Sequence, residues 1–357
     1  MSVGSDRVVV ITGGAGFIGS NLADALLGRG ERVLIYDNLS RPGTERNLRW
    51  LVDRHPERLD VVIGDVRDLD GVRRVVRRAH TIYHLAAQVA VTSSVIDPAY
   101  DFAVNAGGTL NVLQATTELP DPPVVLFTST NKVYGDLSEI PVMLNGTRYL
   151  FRDRVRGITE DQRLDFHSPY GCSKGAADQY VHDYARIYDL PTCVFRMSCI
   201  YGPHQYGTED QGWVAHFIIS ALTGRPITLY GDGKQVRDIL YVDDLVELMP
   251  LAASAARGRP GRVYNVGGGE ENAVSLIELL DLLEAELGVR IERRFSEWRP
   301  GDQRIYIGDI ARIERELNWK PRIGMKAGLR RLIAWIRANL SDVVPYRTGR
   351  LEKHLSG

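Results

Sequence analysis

The chain has 357 residues, with 44 lysines and arginines against 45 aspartates and glutamates, a formal net charge of -1. That length supports one large two-lobed unit or two domains, and the balanced charge excludes a whole-chain field drawing it to nucleic acid or a membrane surface. Three cysteines, Cys172, Cys193 and Cys199, cannot build a disulfide framework and lack the paired spacing of a zinc site.

The N-terminus has too short an apolar run for a signal peptide, and no stretch approaches the roughly 20 apolar residues of a membrane span. A soluble, cytoplasmic protein without a metal is expected. "RVVVITGG" then predicts a strand, "FIGSNLADALLGRG" a helix and "RVLIYDN" a second strand, with further strands at "LDVVIGD", "TIYHLAA" and "VVLFTST". This alternation predicts βαβ units and a doubly wound parallel α/β sheet of Rossmann type.

Gly13, Gly14, Gly16 and Gly19 fall between the first strand and the first helix. There, backbone amides and the helix dipole can meet a pyrophosphate that side chains would push away. Gly13, Gly16, Phe17, Ile18 and Gly19 are the expected dinucleotide contacts. Asp37 closes the second strand, where a carboxylate accepts from an adenosine ribose and repels a 2'-phosphate. NAD is favoured over NADP on that ground, with Arg41 nearby as the one opposing feature. Asn38, Asp65 and Val66, and the small fourth-strand end of Leu85, Ala86 and Ala87, complete the expected cofactor wall.

Thr130 ends "VVLFTST", and "HSPYGCSKGAADQY" sets Tyr170 and Lys174 one helical turn apart. A phenol is a poor base near neutral pH, but an adjacent ammonium and a cationic nicotinamide ring stabilise its phenolate. Tyr170 is then the expected acid and base, Lys174 the residue that lowers its pKa and holds the ribose, and Thr130 the hydroxyl that orients the substrate oxygen. Lone His84 and His167 read as structural. Ser93 and Ser94 are expected on a loop facing the substrate.

The pattern loosens near residue 200. Residues 1–203 are the expected dinucleotide-binding domain, completed by a later segment near 237–268, with a smaller mixed α/β lobe over 204–345 and a polar tail at 346–357. Helices are expected at "SLIELLDLLEAELG" and "AGLRRLIAWIRANL".

From about residue 8 to about 340 these features resemble the extended short-chain dehydrogenase/reductase family, the nucleotide-sugar epimerases and dehydratases. The resemblance implies NAD, a nucleotide-sugar substrate and a homodimer, with a tetramer as the alternative, built on helices around 97–118 and 170–188. Dehydratases of that family place an acid just after the catalytic threonine or serine. This chain has Asn131 and Lys132 there, which leaves epimerisation by transient oxidation to a ketone. "DNLSR", "STNKVYGD", "DQGWV" and "GKQVRD" are similar to the CDP-tyvelose epimerase branch, which implies inversion at C2 of a CDP-hexose. Epimerisation at C4 of a UDP-sugar, or net dehydrogenation, is the alternative. Arg237 and Arg299 are the implied phosphate clamps, and Asp302, with Gln303, an implied nucleotide contact. Asn131 and Lys132 are expected to touch the sugar, and Cys199 stands where the family commonly has an asparagine.

Overall fold

The computed structural model describes residues 7–153, 156–299 and 301–344, so the expected tail lies outside the described residues. Seven strands form the main sheet: β1 (Val8–Thr12), β2 (Val33–Asp37), β3 (Leu59–Ile63), β4 (Ala79–His84), β5 (Val124–Thr130), β6 (Thr192–Met197) and β7 (Arg262–Val266). Their order is β7-β6-β5-β4-β1-β2-β3, every neighbouring pair parallel. The expected doubly wound Rossmann sheet is present.

Burial on both faces follows from the alternation of side chains along each strand. Val9 and Ile11 pack with Val33, Ile35 and Leu22 on one face, while Val8 and Val10 pack with Leu34, Tyr36 and Ile82 on the other. The order reverses between β1 and β4, which opens a crevice at the carboxyl ends of the strands.

Within 237–268, β7 joins the main sheet, whereas Val236–Tyr241 belongs to the second lobe, pairing with Cys199–Tyr201, Ala273–Ser275 and Ile305–Tyr306. The hairpin Val142–Asn145 and Arg148–Phe151 lies inside the first 203 residues, yet it packs Tyr149 against Val236, Ala273 and Ile305 of the second lobe. Its apolar side finds cover there. The stretch "TCVFRMSCIY" splits at Ser198, where it passes from one sheet to the other, and the Ser198 hydroxyl donates to the Asp238 carbonyl at 2.8 Å.

Both expected second-lobe helices form. Leu276–Leu287 starts in a Ser275–Glu278 capping box, and Met325–Ala338 buries Leu329, Leu332, Ile333 and Ile336.

Helix Ser168–Tyr188 lies along β5 and β6, pinned by a buried ion pair. Arg196 on β6 donates from Nε and Nη2 to the two Asp178 oxygens at 3.0 and 2.9 Å, and from Nη1 to the Tyr134 hydroxyl. Asp178→Ala strands a buried guanidinium and is expected to cost about 3 to 5 kcal/mol of stability. Urea denaturation checks this, and a loss well under 1 kcal/mol would refute the role given to the pair.

Candidate active site

The crevice is a cleft of about 1220 Å³ between the sheet's carboxyl edge and the second lobe. Its floor is the glycine turn. Gly13 has φ +70°, and a Cβ there would sit 2.7 Å from the Ala86 nitrogen; one on Gly19 would sit 2.4 Å from the Gly13 carbonyl. Backbone packs on backbone, which only glycine allows. Helix Phe17–Gly28 begins at Gly16 without a side-chain cap, so its first-turn amides face the cleft as an anion site. This cradle fits a dinucleotide pyrophosphate.

Phe17, Ile18, Asp37, Asn38, Asp65, Val66, Leu85, Ala86 and Ala87 all line the same cleft. Asp37 is buried, and its carboxylate already accepts from the Ala15 and Leu39 amides at 3.0 and 2.8 Å. Asp65 is bound more fully: Arg67 grips both oxygens and Asn38 donates to one, which holds the carboxyl at about 2. Arg41 donates across the cleft mouth to Gln211.

Thr130, Tyr170 and Lys174 also converge in the cleft. Burial pushes the Tyr170 phenol up to about 12, opposed only in part by the nearby Thr130 hydroxyl, which donates to Asn131 Oδ1 at 3.3 Å. The expected lowering by Lys174 is not made. Its Nζ turns to the sheet instead, donating to the Thr128 carbonyl at 2.6 Å and lying 4.1 Å above the Phe127 ring. A desolvated ammonium takes the carbonyl and π-face within reach. His84 is structural as read, bridging the Thr12 and Thr109 hydroxyls and kept neutral by burial, at about 3.

Ser93 and Ser94 are not in the cleft wall. Val91–Ile96 is a short helix rather than a loop, and it turns Ser93 to solvent and buries Ser94, whose hydroxyl accepts from the Tyr170 amide at 3.2 Å. Thr92 lines the cleft instead.

From the second lobe come Arg237, Arg299 and Asp302, with Cys199 beside them. Arg237 donates to Asp302 at 2.6 Å, and Lys132 approaches the same oxygen at 3.4 Å. Burial raises the Asp302 carboxyl, but Arg237 and Lys132 outweigh it and hold the group ionised. Two cations therefore share one carboxylate, which leaves net positive charge for an anionic ligand. Asn131 and Gln303 are buried against each other at 3.1 Å, so Gln303 is internal scaffolding rather than a nucleotide contact. Arg299 lies 4.0 Å over the Tyr230 ring and donates to the Glu209 carbonyl. Burial raises the Cys199 thiol, which is no ready nucleophile.

The segment 203–213, in which "DQGWV" carries only a resemblance, has no structural role assigned from the sequence. It straps the cleft, with His204 stacked 3.8 Å from Trp50 of one lobe and 5.1 Å from Trp335 of the other, and Asn47 donating to the Ala15 and His204 carbonyls. Its aromatic residues, set among glycines in "PHQYGTEDQGW", were the available signal.

Residues 10–332 match the family model described as GDP-mannose 4,6 dehydratase. The chain is 42% identical over 336 residues to a CDP-paratose 2-epimerase of Salmonella typhi, covering 92% of this chain and 98% of that protein. The chain belongs to this extended short-chain dehydrogenase/reductase family. Family members of known structure share the fold. The dTDP-glucose 4,6-dehydratase DesIV of Streptomyces venezuelae, solved with NAD bound, is 31% identical, with a TM-score of 0.82 over 96% of this chain and 100% of its own. A Bacillus cereus UDP-glucuronic acid 4-epimerase, in complex with UDP-glucuronic acid and NAD, is 26% identical, with a TM-score of 0.80 over 93% and 99%. This family member is therefore an enzyme of the nucleotide-sugar epimerase and dehydratase kind.

Burial, partly opposed by Asp178 and Asp101, lowers Lys174 to about 7, whereas a lysine in the unfolded chain titrates near about 10.4. Between those values the unfolded chain binds a proton that the native one does not, so the lysine's contribution to stability rises with pH. Cofactor-free protein should gain stability relative to Lys174→Met from about pH 7 to about pH 10, read from urea midpoints. A difference flat over that range would refute the lowering.

Proposed function

We propose that the enzyme is an NAD-dependent epimerase that inverts C2 of a CDP-linked deoxyhexose through a transient 2-keto sugar. One observation carries the choice of epimerisation over elimination. The residues after Thr130 are Asn131 and Lys132, and the carboxylate that Lys132 meets, Asp302, is held ionised by two cations and is a poor proton donor. The 42% identity to a CDP-paratose 2-epimerase supports the choice of base and carbon.

When bound, NAD supplies reversible oxidation of a ring carbinol and, in its oxidised form, the positive charge that helps a buried phenol ionise. The chain's own residues do the rest. Gly13, Gly16 and the first-turn amides hold the pyrophosphate, and Asp37 takes the adenosine ribose. Tyr170 removes the proton from the 2-hydroxyl and later returns it to the keto oxygen, while Thr130 orients that oxygen. Lys174 holds the nicotinamide ribose, and Arg237, Arg299 and Lys132 hold the diphosphate end of the substrate.

The test is incubation with CDP-, UDP-, GDP- and dTDP-hexoses in heavy water, read by NMR. A CDP-hexose should invert at C2 and carry no carbon-bound deuterium there, and Tyr170→Phe should lose about 100- to 10,000-fold in kcat. Inversion of a UDP-sugar at C4 would overturn the substrate assignment. Stoichiometric growth of reduced-nicotinamide absorbance would overturn epimerisation.

A cytoplasmic homodimer is part of the same reading. All three cysteines are free, and Val95, Ile96, Phe102, Tyr180, Ile187 and Tyr188 stand exposed on three adjoining helices, an apolar face suited to a second copy. Sedimentation should give twice the chain mass, and Tyr180→Glu with Ile187→Glu should give the monomer. A wild-type monomer would refute the assembly.

A further inference from the structure

Asp101, in the short helix Pro98–Phe102, is fully buried. Its carboxylate is satisfied by neutral donors: Oδ1 accepts from Gln88 Nε2 at 3.0 Å and Asn105 Nδ2 at 3.2 Å, and Oδ2 accepts from the Ser173 hydroxyl at 2.5 Å. Asn105 lies in a π-turn, Ala103–Gly107, and also donates to the Gln88 carbonyl and the Ser173 hydroxyl. The carboxylate is thereby locked under the turn of helix that carries Tyr170 and Lys174. Sealing a negative charge there costs free energy unless a positive charge answers it.

The charged groups around the pair differ in what they reach. Asp178, from the same helix, acts on Lys174; Arg41, from the loop after β2, acts on Tyr170; neutral His84 of β4 feels the lysine. Asp101 acts on both members, raising the phenol and the ammonium alike; burial raises the Asp101 carboxyl itself, opposed by the Ser173 hydrogen bond, Lys174 and Gln88. The effect on the pair has one sign.

We propose that Asp101 is a positioning residue for the reaction, its locked carboxylate keeping Lys174 charged and Tyr170 able to hand its proton back to the keto sugar. The proposal rests on the acid and base role given to Tyr170 above. An enzyme that takes a proton and then returns it needs a phenol that is not too strong an acid, and a fixed charge beside it tunes that balance without touching substrate.

The experiment compares the pH dependence of kcat for NAD-loaded wild type, Asp101→Asn and Asp101→Glu. In Asp101→Asn both limbs of the profile should move to lower pH by roughly half to one unit, while Asp101→Glu, which keeps the charge, should hold the wild-type limbs. A lower rate in Asp101→Asn with both limbs unmoved overturns the proposal. Asparagine fits the site, because Oδ1 keeps its two donors and the Ser173 hydroxyl has the Tyr170 carbonyl at 3.2 Å as a second acceptor. Asp101→Ser repeats the test should that variant not fold.

A second measurement needs no turnover. The tyrosinate absorbance titration of NAD-loaded protein, minus that of Tyr170→Phe, isolates Tyr170, and its midpoint should fall by a similar amount in the Asp101→Asn background. An unshifted midpoint overturns the proposal. If no nucleotide sugar is turned over but the midpoint still shifts, the functional reading fails and takes the positioning role with it, while the coupling of Asp101 to Tyr170 stands.

Discussion

The buried ammonium of Lys174 is the constraint around which the catalytic half of the molecule is arranged. Removing such a charge from water is costly unless donors, dipoles and counter-charges answer it. Here the Thr128 carbonyl, the Phe127 ring and the carboxylates of Asp101 and Asp178 do so. All of these can reach the ammonium only if helix Ser168–Tyr188 lies close along β5 and β6. Small residues fit the helix into place: fully buried Ala177 packs with Phe127 and Val194 of those strands, and Gly175 leaves room for the Phe166 ring, which a Cβ there would meet at 2.4 Å. The Asp178–Arg196 pair then sets the helix along the strands, and the position of Tyr170 one turn earlier follows.

The two lobes bring different chemistry to the cleft. The first offers backbone: glycine-turn amides, an uncapped helix start and strand ends. The second offers guanidinium groups, Arg237 from a buried strand and Arg299 stacked on Tyr230. Lys132 joins them, since its loop follows Thr130 directly while its ammonium reaches the Gly301 carbonyl and Asp302. One carboxylate between two cations sets both the geometry and the net charge at the point where the lobes meet. The strap around His204, held between Trp50 and Trp335, ties the same lobes at the far end of the cleft.

Desolvation acts with opposite sign on the two reactive groups. It raises the phenol to about 12 and lowers the ammonium to about 7, so both lean toward their neutral forms in the protein itself. A site of this kind draws its working charge from what binds in it, and the carboxylate of Asp101 opposes the drift of the ammonium while adding to that of the phenol.

The alternation of strands and helices, the glycine turn and the Tyr170–Lys174 spacing were legible in the residues because each depends on local rules. Strand and helix periods mark the βαβ units, only glycine permits the turn at Gly13, and four residues make one helical turn. Which lobe covers the hairpin at 142–151, that Lys174 faces Thr128 rather than the phenol, and that Ser94 supports the Tyr170 amide while Thr92 takes the wall were decided only in the tertiary structure. Those outcomes depend on which buried donors and carboxylates meet across long stretches of chain. No spacing rule carries that information, because the free energy of a buried charge is set by its neighbours in space.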